Sequence, residues 1–176
     1  MSGTGGQERS DSGNVTGGQE RSDSGNVTDR LAELGVTLPA VAAPLAAYVP
    51  AVRTGNLVYT SGQLPLEGGK PTHSGKVGAE VKPEEAKIAA RTCALNALAA
   101  IDALVGIDSV VRVVKVVGFV ASGPGFTGQP GVVNGASEFL GEIFGEAGAH
   151  ARSAVGVAAL PLDVPVEVEL IVEVAA

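Results

Sequence analysis

One arginine stands inside a stretch of small and β-branched residues, ARSAVGV, at residues 151–157. Alternation along a strand places Arg152 on the same face as Ala154 and Gly156, which fill little volume and leave room beside the guanidinium. Arginine grips carboxylates and phosphates through two parallel, charge-assisted hydrogen bonds. The pattern therefore favours an anion-binding pocket at Arg152. The alternatives are an exposed edge strand or an ion pair with a local acid.

A row of glutamates follows on a second predicted strand, VPVEVELIVEV, at residues 164–174. Alternation with Val and Leu places three of them on one face: Glu167, Glu169 and Glu173. Such a row is most often a solvated face, but this strand follows the arginine strand through LPLD, so we expect a hairpin that brings one glutamate near Arg152. A carboxylate shielded there would have a raised pKa and could handle a proton or a water. Spacing alone does not choose among the three.

Other polar side chains carry weaker signals. Ser61, in TSGQ, has no nearby His or Lys to activate it, so we expect it to form hydrogen bonds rather than act as a nucleophile. The segment SGPGFTGQPG, at 122–131, lacks the GK[ST] ending of a phosphate-binding loop and is interpreted as a plain loop. His150 lies two residues before Arg152, but one loop histidine is not by itself evidence of a site.

Cysteine and histidine are scarce in this chain. Cys93 is the single cysteine, so no intrachain disulfide can form. His73 and His150 are the two histidines, too few for a cysteine and histidine metal cluster. We therefore do not expect a structural zinc, and we interpret Cys93 as a small apolar residue of the core.

A β-hairpin is predicted near the middle of the first half of the chain. One strand covers residues 47–53, a turn follows at Thr54-Gly55-Asn56, and a second strand covers 57–62. Residues 64–80, which are rich in Gly and Pro, are predicted to form a loop.

Two amphipathic helices follow. The first begins at Pro83 and ends at Gly106, and one face is expected to hold Ile88, Leu95, Leu98 and Val105. The second helix covers about 131–147, with an apolar side formed by Ala136, Phe139, Leu140, Ile143 and Ala147.

A nearly continuous β-branched run at 109–122 predicts a central strand covered on both faces, and two more strands are predicted at 151–160 and 164–174. A short helix capped by Thr28 or Asp29 comes first. The element order β-β-α-β-α-β-β indicates an α+β fold, a mixed sheet with both helices on one face. The uncovered face then needs another subunit.

The N-terminal segment is a tandem repeat. GGQERSDSGNVT at residues 5–16 recurs letter for letter at 17–28. A sequence this polar cannot bury enough surface to offset chain entropy. We therefore predict that residues 1–28 form a disordered tail and that residues 29–176 form one domain.

Charge and hydropathy limit the function classes. The chain has 176 residues, 45% of them hydrophobic, and a net charge of −7, of which −5 belongs to residues 29–176. Without a basic run to neutralise phosphates, nucleic acid is an unfavourable partner. The first thirty residues lack a signal-peptide pattern, and no uninterrupted run of ~18 apolar residues occurs, so a cytoplasmic protein without membrane contact is expected.

Four segments together resemble the RidA family, also called YjgF. They are GNLVYTSGQLPL, VVNGASEFLGEIFG, ARSAVGV and LPLDVPVEVELIVEV, and the resemblance runs from about Tyr48 to Val174. It implies a chorismate-mutase-like α+β fold assembled as a homotrimer, with three pockets between adjacent subunits. That assembly would cover the open sheet face.

The resemblance also implies roles for individual residues. Arg152, the arginine of ARS, would bind the substrate carboxylate, and Glu167 would orient a water. Further pocket residues would be Tyr48, Ser61, Gly62 and Asn134. The chain departs from the family pattern P-A-R-S-C at His150 and Ala154, which leaves a different substrate or a reduced activity open.

The implied activity is hydrolysis of reactive enamine or imine acids, such as 2-aminoacrylate and 2-iminopropionate, to a 2-keto acid and ammonia. This reaction requires no metal and no organic cofactor, so none is expected. The alternative is a trimer that binds a keto acid or amino acid without turnover. A third activity attached to some relatives, ribonuclease or translation inhibition, is disfavoured by the negative charge of the domain.

Overall fold

A computed structural model describes residues 1–3, 26–41 and 47–176 of the chain. The tail predicted for residues 1–28 lies mostly outside these described residues. Within these ranges the structure has three α-helices: α1 (Val27–Glu33), α2 (Pro83–Val105) and α3 (Gln129–Phe144). The strands are β1 (Ala51–Thr54), β2 (Leu57–Thr60), β3 (Leu66–Glu67), β4 (Lys70–Pro71), β5 (Val110–Ala121), β6 (Ala151–Val157) and β7 (Val166–Val174). Short 3-10 turns cover Ile107–Ser109, Gly145–Gly148 and Pro161–Asp163.

Five strands form one mixed sheet in the order β1-β2-β7-β5-β6. The predicted first hairpin is confirmed in β1 and β2, with Gly55 at φ 56° in its turn. The expected hairpin between β6 and β7 is wrong, because β5 lies between them, parallel to β6 and antiparallel to β7. β6 is therefore an edge strand, and the glutamate strand is not its neighbour. β3 and β4 form a separate small ribbon inside the predicted loop 64–80.

Both long helices cover the same face of the sheet. α2 packs on β7 and α3 packs on β5 and β6, while the two helices contact each other. The strand residues that face them are fully buried branched side chains: Val113, Val116, Val120, Val166, Val168 and Val172. This arrangement confirms the predicted α+β class with its helices on one face.

The buried face of α2 differs from the predicted one. Ile88 is 63% exposed, whereas the fully buried positions include a series of alanines: Ala86, Ala89, Ala90, Ala94 and Ala97. Of the predicted face, Leu98 is fully buried and Leu95 and Val105 pack against the core, so only Ile88 was assigned wrongly. The small alanine side chains let the helix lie close to the sheet. Cys93 is buried in this face, as predicted, and its thiol lies 3.6 Å from the Val166 carbonyl oxygen.

The helix α2 is long and apolar enough to cross a membrane, judged by length and composition alone. The sequence analysis found no unbroken run of ~18 apolar residues because a few polar residues interrupt this helix. Half of its most apolar window is buried inside the domain. Its alanines and Leu98 form the centre of the hydrophobic core. The apolar character of α2 is thus explained by its packing between the sheet and α3.

The ends of two helices also differ from the sequence expectations. α1 is capped by Asn26, whose side chain accepts a hydrogen bond from the Asp29 backbone N–H at 2.8 Å, rather than by Thr28 or Asp29. Thr28 instead binds the Asp108 carboxylate through its backbone N–H and its hydroxyl, both at 2.9 Å. α3 begins earlier than predicted, at Gln129 beside Pro130, and ends at Phe144.

No helix of the described residues covers the other face of the sheet. Apolar side chains are exposed there on three strands: Val52, Tyr59 and Val155. Glu167, Glu169 and Glu173 share this face, since the alternating Val166, Val168 and Val172 are buried on the helix side. We call this surface, formed by these six exposed or half-buried side chains, the open face.

Candidate functional site

Arg152 lies on the edge strand β6 and points towards the helix layer. It pairs with Val116 of β5, which pairs on its other side with Leu170, and both partners are buried under the helices. Its Nη1 donates to Asn134 Oδ1 at 2.7 Å and lies 3.2 Å from Ser137 Oγ. The structure thus brings two residues of the predicted site, Arg152 and Asn134, into direct contact.

No acid pairs with this arginine within the described part of the chain. The ion pairs there, with nitrogen to oxygen distances up to 4.0 Å, involve other cations: Arg30, Lys87 and Arg91. Both hydrogen bonds of Arg152 are made by Nη1, so its Nε and Nη2 donate to no acceptor among the described residues. An edge with two parallel N–H groups fits one carboxylate. The local-acid alternative for Arg152 is therefore not supported in the protomer.

Ser137 and His150 complete the surroundings of Arg152, and sequence reasoning missed Ser137. His150 Nε2 lies 2.9 Å from Ser137 Oγ, and its Nδ1 lies 2.6 Å from the Gly148 carbonyl oxygen. One signal was available, because Ser137 follows Asn134 by three residues and so shares its helix face. His150 precedes Arg152 by two and shares its strand side.

Glu167 lies elsewhere, against Gly62. A Cβ built at Gly62 would overlap the Glu167 carboxylate oxygen Oε1. Gln63, the next residue, pairs with Val168 through two backbone hydrogen bonds of 2.8 and 3.0 Å. The TSGQ segment and the start of β7 are therefore held together by backbone bonding, with the glutamate carboxyl over the glycine.

Ser61 fixes the segment that carries Tyr48. Its hydroxyl donates to the Val49 carbonyl oxygen at 2.6 Å, and its backbone N–H donates to the Pro50 carbonyl oxygen at 2.8 Å. Ser61 therefore has the hydrogen-bonding role expected of it. Tyr48 itself is 45% exposed and precedes β1. Four predicted site residues, Tyr48, Ser61, Gly62 and Glu167, thus belong to one region.

Two carboxyls of the open face, Glu167 and Glu169, have raised pKa values. Burial raises the pKa of Glu167 above its ordinary value of 4.5, and the neighbouring charge of Glu169 raises it further. Burial likewise raises the pKa of Glu169. Burial, with a contribution from Glu167, raises the pKa of the Cys93 thiol. Glu167 is therefore a carboxyl whose proton is held more tightly than usual, as proton transfer near neutral pH requires.

The two groups of site residues lie on opposite faces of the sheet. Glu167 pairs with Phe119 of β5, which pairs in turn with Val155 of β6. Val155 lies three residues after Arg152, and an odd separation reverses the face. Strand spacing and rise place the Arg152 and Glu167 Cα atoms about 14 Å apart. Within one protomer, the cation and the carboxyl do not meet.

Metal ligation is not indicated in the described ranges. No three His, Cys, Asp or Glu side chains of residues 1–3, 26–41 and 47–176 lie close enough to bind one ion.

Comparison with known proteins identifies the family of this chain. The family model described as Endoribonuclease L-PSP, which represents the RidA (YjgF) family, matches residues 39–174. The chain belongs to the RidA family. The resemblance noted on the sequence motifs is thereby confirmed, and the mixed sheet with its two helices is the fold of YjgF-family structures.

Three RidA-family relatives illustrate the similarity. Protein TCP17 of Trypanosoma cruzi is 46% identical over 145 residues, which cover 81% of this chain and 91% of that protein. The crystal structure of Atu1372 from Agrobacterium tumefaciens is 47% identical, with a TM-score of 0.78 over 85% of this chain and 92% of that one. Escherichia coli TdcF, solved with bound serine, is 26% identical, with a TM-score of 0.57 over 80% of this chain and 96% of that one.

Proposed function

We propose that this RidA-family protein hydrolyses small imine or enamine acids, of the 2-aminoacrylate and 2-iminopropionate type, to 2-keto acids and ammonia. The active sites would lie between protomers of a homotrimer. The observation that carries the proposal is the half-buried Arg152 guanidinium, held through Nη1 and presenting its Nε and Nη2 edge to no protein acid among the described residues.

The substrate class follows from that arginine. Arg152 is half-buried and its two hydrogen bonds are to neutral side chains, so among the described residues no acid balances its charge and an anion is the expected occupant. The domain is acidic overall, and an isolated cation in such a field selects one small carboxylate rather than a polyphosphate chain. The bound serine of TdcF shows that one relative accommodates a small molecule with a carboxylate. A nuclease activity, suggested by the description of the family model, would instead need a basic surface.

Glu167 supports the choice of reaction. Water adds to the C2 carbon of the imine while one of its protons passes to the imine nitrogen, which gives a carbinolamine. The hydroxyl proton of the carbinolamine then passes to the amino group as the C–N bond breaks, which releases ammonia and leaves the keto group. A carboxyl with a raised pKa can accept the proton from water and return it to nitrogen. Arg152 would hold the substrate carboxylate throughout, so that the electrophilic carbon stays in place.

The homotrimer is proposed because the site is otherwise divided. Arg152 lies at the β6 edge facing the helices, and Glu167 lies on the open face. A contact between the edge of one protomer and the open face of the next joins different surfaces. Such a heterologous contact forms a ring when the rotation between protomers closes, and three protomers would close the proposed ring. Exposed Val52, Tyr59 and Val155 supply apolar area for that contact. Tyr48, Ser61, Gly62 and Asn134 then line the pocket from the two sides.

A coupled assay tests the proposal. A pyridoxal-phosphate dehydratase generates 2-aminoacrylate from serine, and the release of the 2-keto acid is timed with and without the protein. We expect acceleration that is lost in Arg152→Ala and Glu167→Gln, with both variants still trimeric on size-exclusion chromatography. His73→Phe, which changes a loop histidine bonded to Thr72, is the control expected to keep full activity.

The same assay separates the alternative function. Binding of a keto acid or an amino acid to the wild type without any acceleration would indicate a ligand-binding module, which the replacements at His150 and Ala154 leave open. If the wild type binds no small acid at all, both interpretations of Arg152, as part of a hydrolase and as part of a ligand-binding module, are wrong.

A further inference from the structure

A series of hydrogen bonds connects Arg152 to the Gly145–Gly148 turn. It connects the Gly148 carbonyl, the His150 imidazole, the Ser137 hydroxyl and the Arg152 guanidinium, with contacts of 2.6, 2.9 and 3.2 Å. Asn134 holds the same arginine nitrogen from a second direction at 2.7 Å. The β6 strand, the middle of α3 and the Gly145–Gly148 turn are thus joined by hydrogen bonds next to the proposed carboxylate site.

The chemistry of each group sets the direction of this chain. The Gly148 carbonyl only accepts, so His150 Nδ1 carries a hydrogen and donates it. In neutral imidazole Nε2 then accepts, and the Ser137 hydroxyl must donate to it. The oxygen of Ser137 is thereby turned so that its lone pairs face the Arg152 Nη1–H. Every member has its donor or acceptor satisfied in one consistent orientation.

The consequence for Arg152 is preorganisation. An arginine side chain has several free torsions, and ordering them on ligand binding costs free energy. Asn134 and Ser137 lie three residues apart on one helix face, so they hold Nη1 at two points before any ligand arrives. Without His150 to accept its hydrogen, the Ser137 hydroxyl is free to rotate. It can then turn its hydrogen to another acceptor and compete with Arg152 as a hydrogen-bond donor. The free Nε and Nη2 edge then loses its fixed orientation.

We propose that His150 and Ser137 are positioning residues that orient Arg152 for a planar carboxylate and so set the preference of the site for acids over uncharged analogues. The proposal rests on the proposed role of Arg152 as the substrate anchor. It assigns a role to the histidine by which this chain departs from the P-A-R-S-C pattern, and to a serine that the sequence did not single out.

The test compares a matched pair of probes, pyruvate and its uncharged amide pyruvamide, by equilibrium binding in NMR titrations of the full chain. The ratio of the two affinities isolates the arginine contact from general pocket packing. We expect His150→Phe and Ser137→Ala each to weaken pyruvate binding by about five- to twentyfold, with pyruvamide binding unchanged within about twofold. The double variant should be no weaker than the stronger single variant, because both act through one chain.

Conservative replacement and a second histidine provide the controls. His150→Gln, whose side-chain oxygen can accept from Ser137, should restore pyruvate binding to within about threefold of wild type. His73→Phe should leave both affinities unchanged. In the coupled assay, His150→Phe should raise KM for the imine acid with kcat within about twofold.

The outcomes separate this proposal from the proposed function. If wild type prefers pyruvate but His150→Phe and Ser137→Ala keep the same preference, the positioning role is overturned while Arg152 remains the anchor. An equal weakening of pyruvate and pyruvamide would reveal a merely structural effect and would also overturn it. If wild type itself shows no preference for the acid, the proposed function fails and this inference fails with it.

Discussion

Gly62 and Glu167 are in such close contact that a side chain at residue 62 would occupy the position of the glutamate carboxylate. The Gly62 backbone thereby lies directly against the carboxyl that we propose handles the proton. The torsion angle φ of Gly62 is not in the left-handed region, so the requirement for glycine is one of space. This contact connects the TSGQ motif to the last strand.

Gly62→Ala should therefore remove activity without unfolding the protein. The overlapping atom is the end of a flexible side chain, so the carboxylate swings away at a cost of under about 1 kcal/mol. We expect kcat to fall by about 10²-fold, as for loss of a general base, with the melting temperature within about 3 °C of wild type. Steady-state kinetics and thermal denaturation check both.

Gly141→Ala is the matched control for that substitution. A Cβ at Gly141 in α3 meets nothing within 4 Å, and alanine in a helix interior stabilises by about 0.5–1 kcal/mol relative to glycine. Full activity in Gly62→Ala would contradict the role given to Glu167.

Arg152→Lys tests whether the shape of the cation matters as well as its charge. Lysine is a point charge and cannot present two parallel N–H groups to one carboxylate. It also cannot keep the fixed contacts with Asn134 and Ser137. We expect KM for the imine acid to rise by about tenfold or more, with kcat less affected, measured in the coupled assay. A KM equal to that of wild type would mean that Arg152 contributes charge alone or lies outside the site.

Mixing two inactive variants tests the division of the site between protomers. In a ring where Arg152 of one chain faces Glu167 of the next, an Arg152→Ala chain beside a Glu167→Gln chain creates one intact site. Random equimolar mixing after unfolding and refolding should give about a quarter of the wild-type rate. The control replaces Glu167→Gln by the double variant Arg152→Ala/Glu167→Gln, which can form no intact site. Absence of rescue in the first mixture would place both residues in one chain's site.

Glu169→Gln should change both stability and the pH dependence of activity. Burial raises the folded-state pKa of Glu169, so the stability it contributes is present below about pH 4.5 and is lost as the pH rises through the raised value. The glutamine variant should therefore melt about 1–2 °C higher than wild type at pH 7 and at the same temperature near pH 4. Thermal melts at the two pH values check the sign.

The kinetic effect of Glu169→Gln has its own readout. Removing the Glu169 charge removes a contribution that raises the pKa of Glu167. The acidic limb of the kcat/KM profile should therefore move to lower pH, because Glu167 loses its proton more readily. A limb that stays in place would show that Glu169 does not act on the titrating group.

Sequence patterns were most reliable for local structure. Alternation correctly grouped Arg152 with Ala154 and Gly156, and it correctly grouped the three glutamates of VEVELIVEV on one face. It did not predict that Arg152 faces the helices while Glu167 faces away from them. The failure at the predicted β6 and β7 hairpin has a simple cause: the period of two specifies the face of a strand but not its neighbours. A connection through LPLD is short, yet the chain crosses the C-terminal end of β5, where the Ala121 N–H donates to the Pro165 carbonyl oxygen at 2.9 Å, and β7 then pairs on the other side of β5.

The chain by itself determined the element order, the α+β class, the family and the residue types at the candidate site, because periodicity, turn residues and motifs are local properties. Only the tertiary structure decided which of these residues meet. It brought Arg152 together with Asn134 and Ser137, with His150 beyond Ser137, and it placed Gly62 against Glu167. It also put these two groups on opposite faces of the sheet, on strands that β5 separates. Those relations depend on strand order and helix packing, which arise from contacts between residues far apart in sequence and carry no local signature.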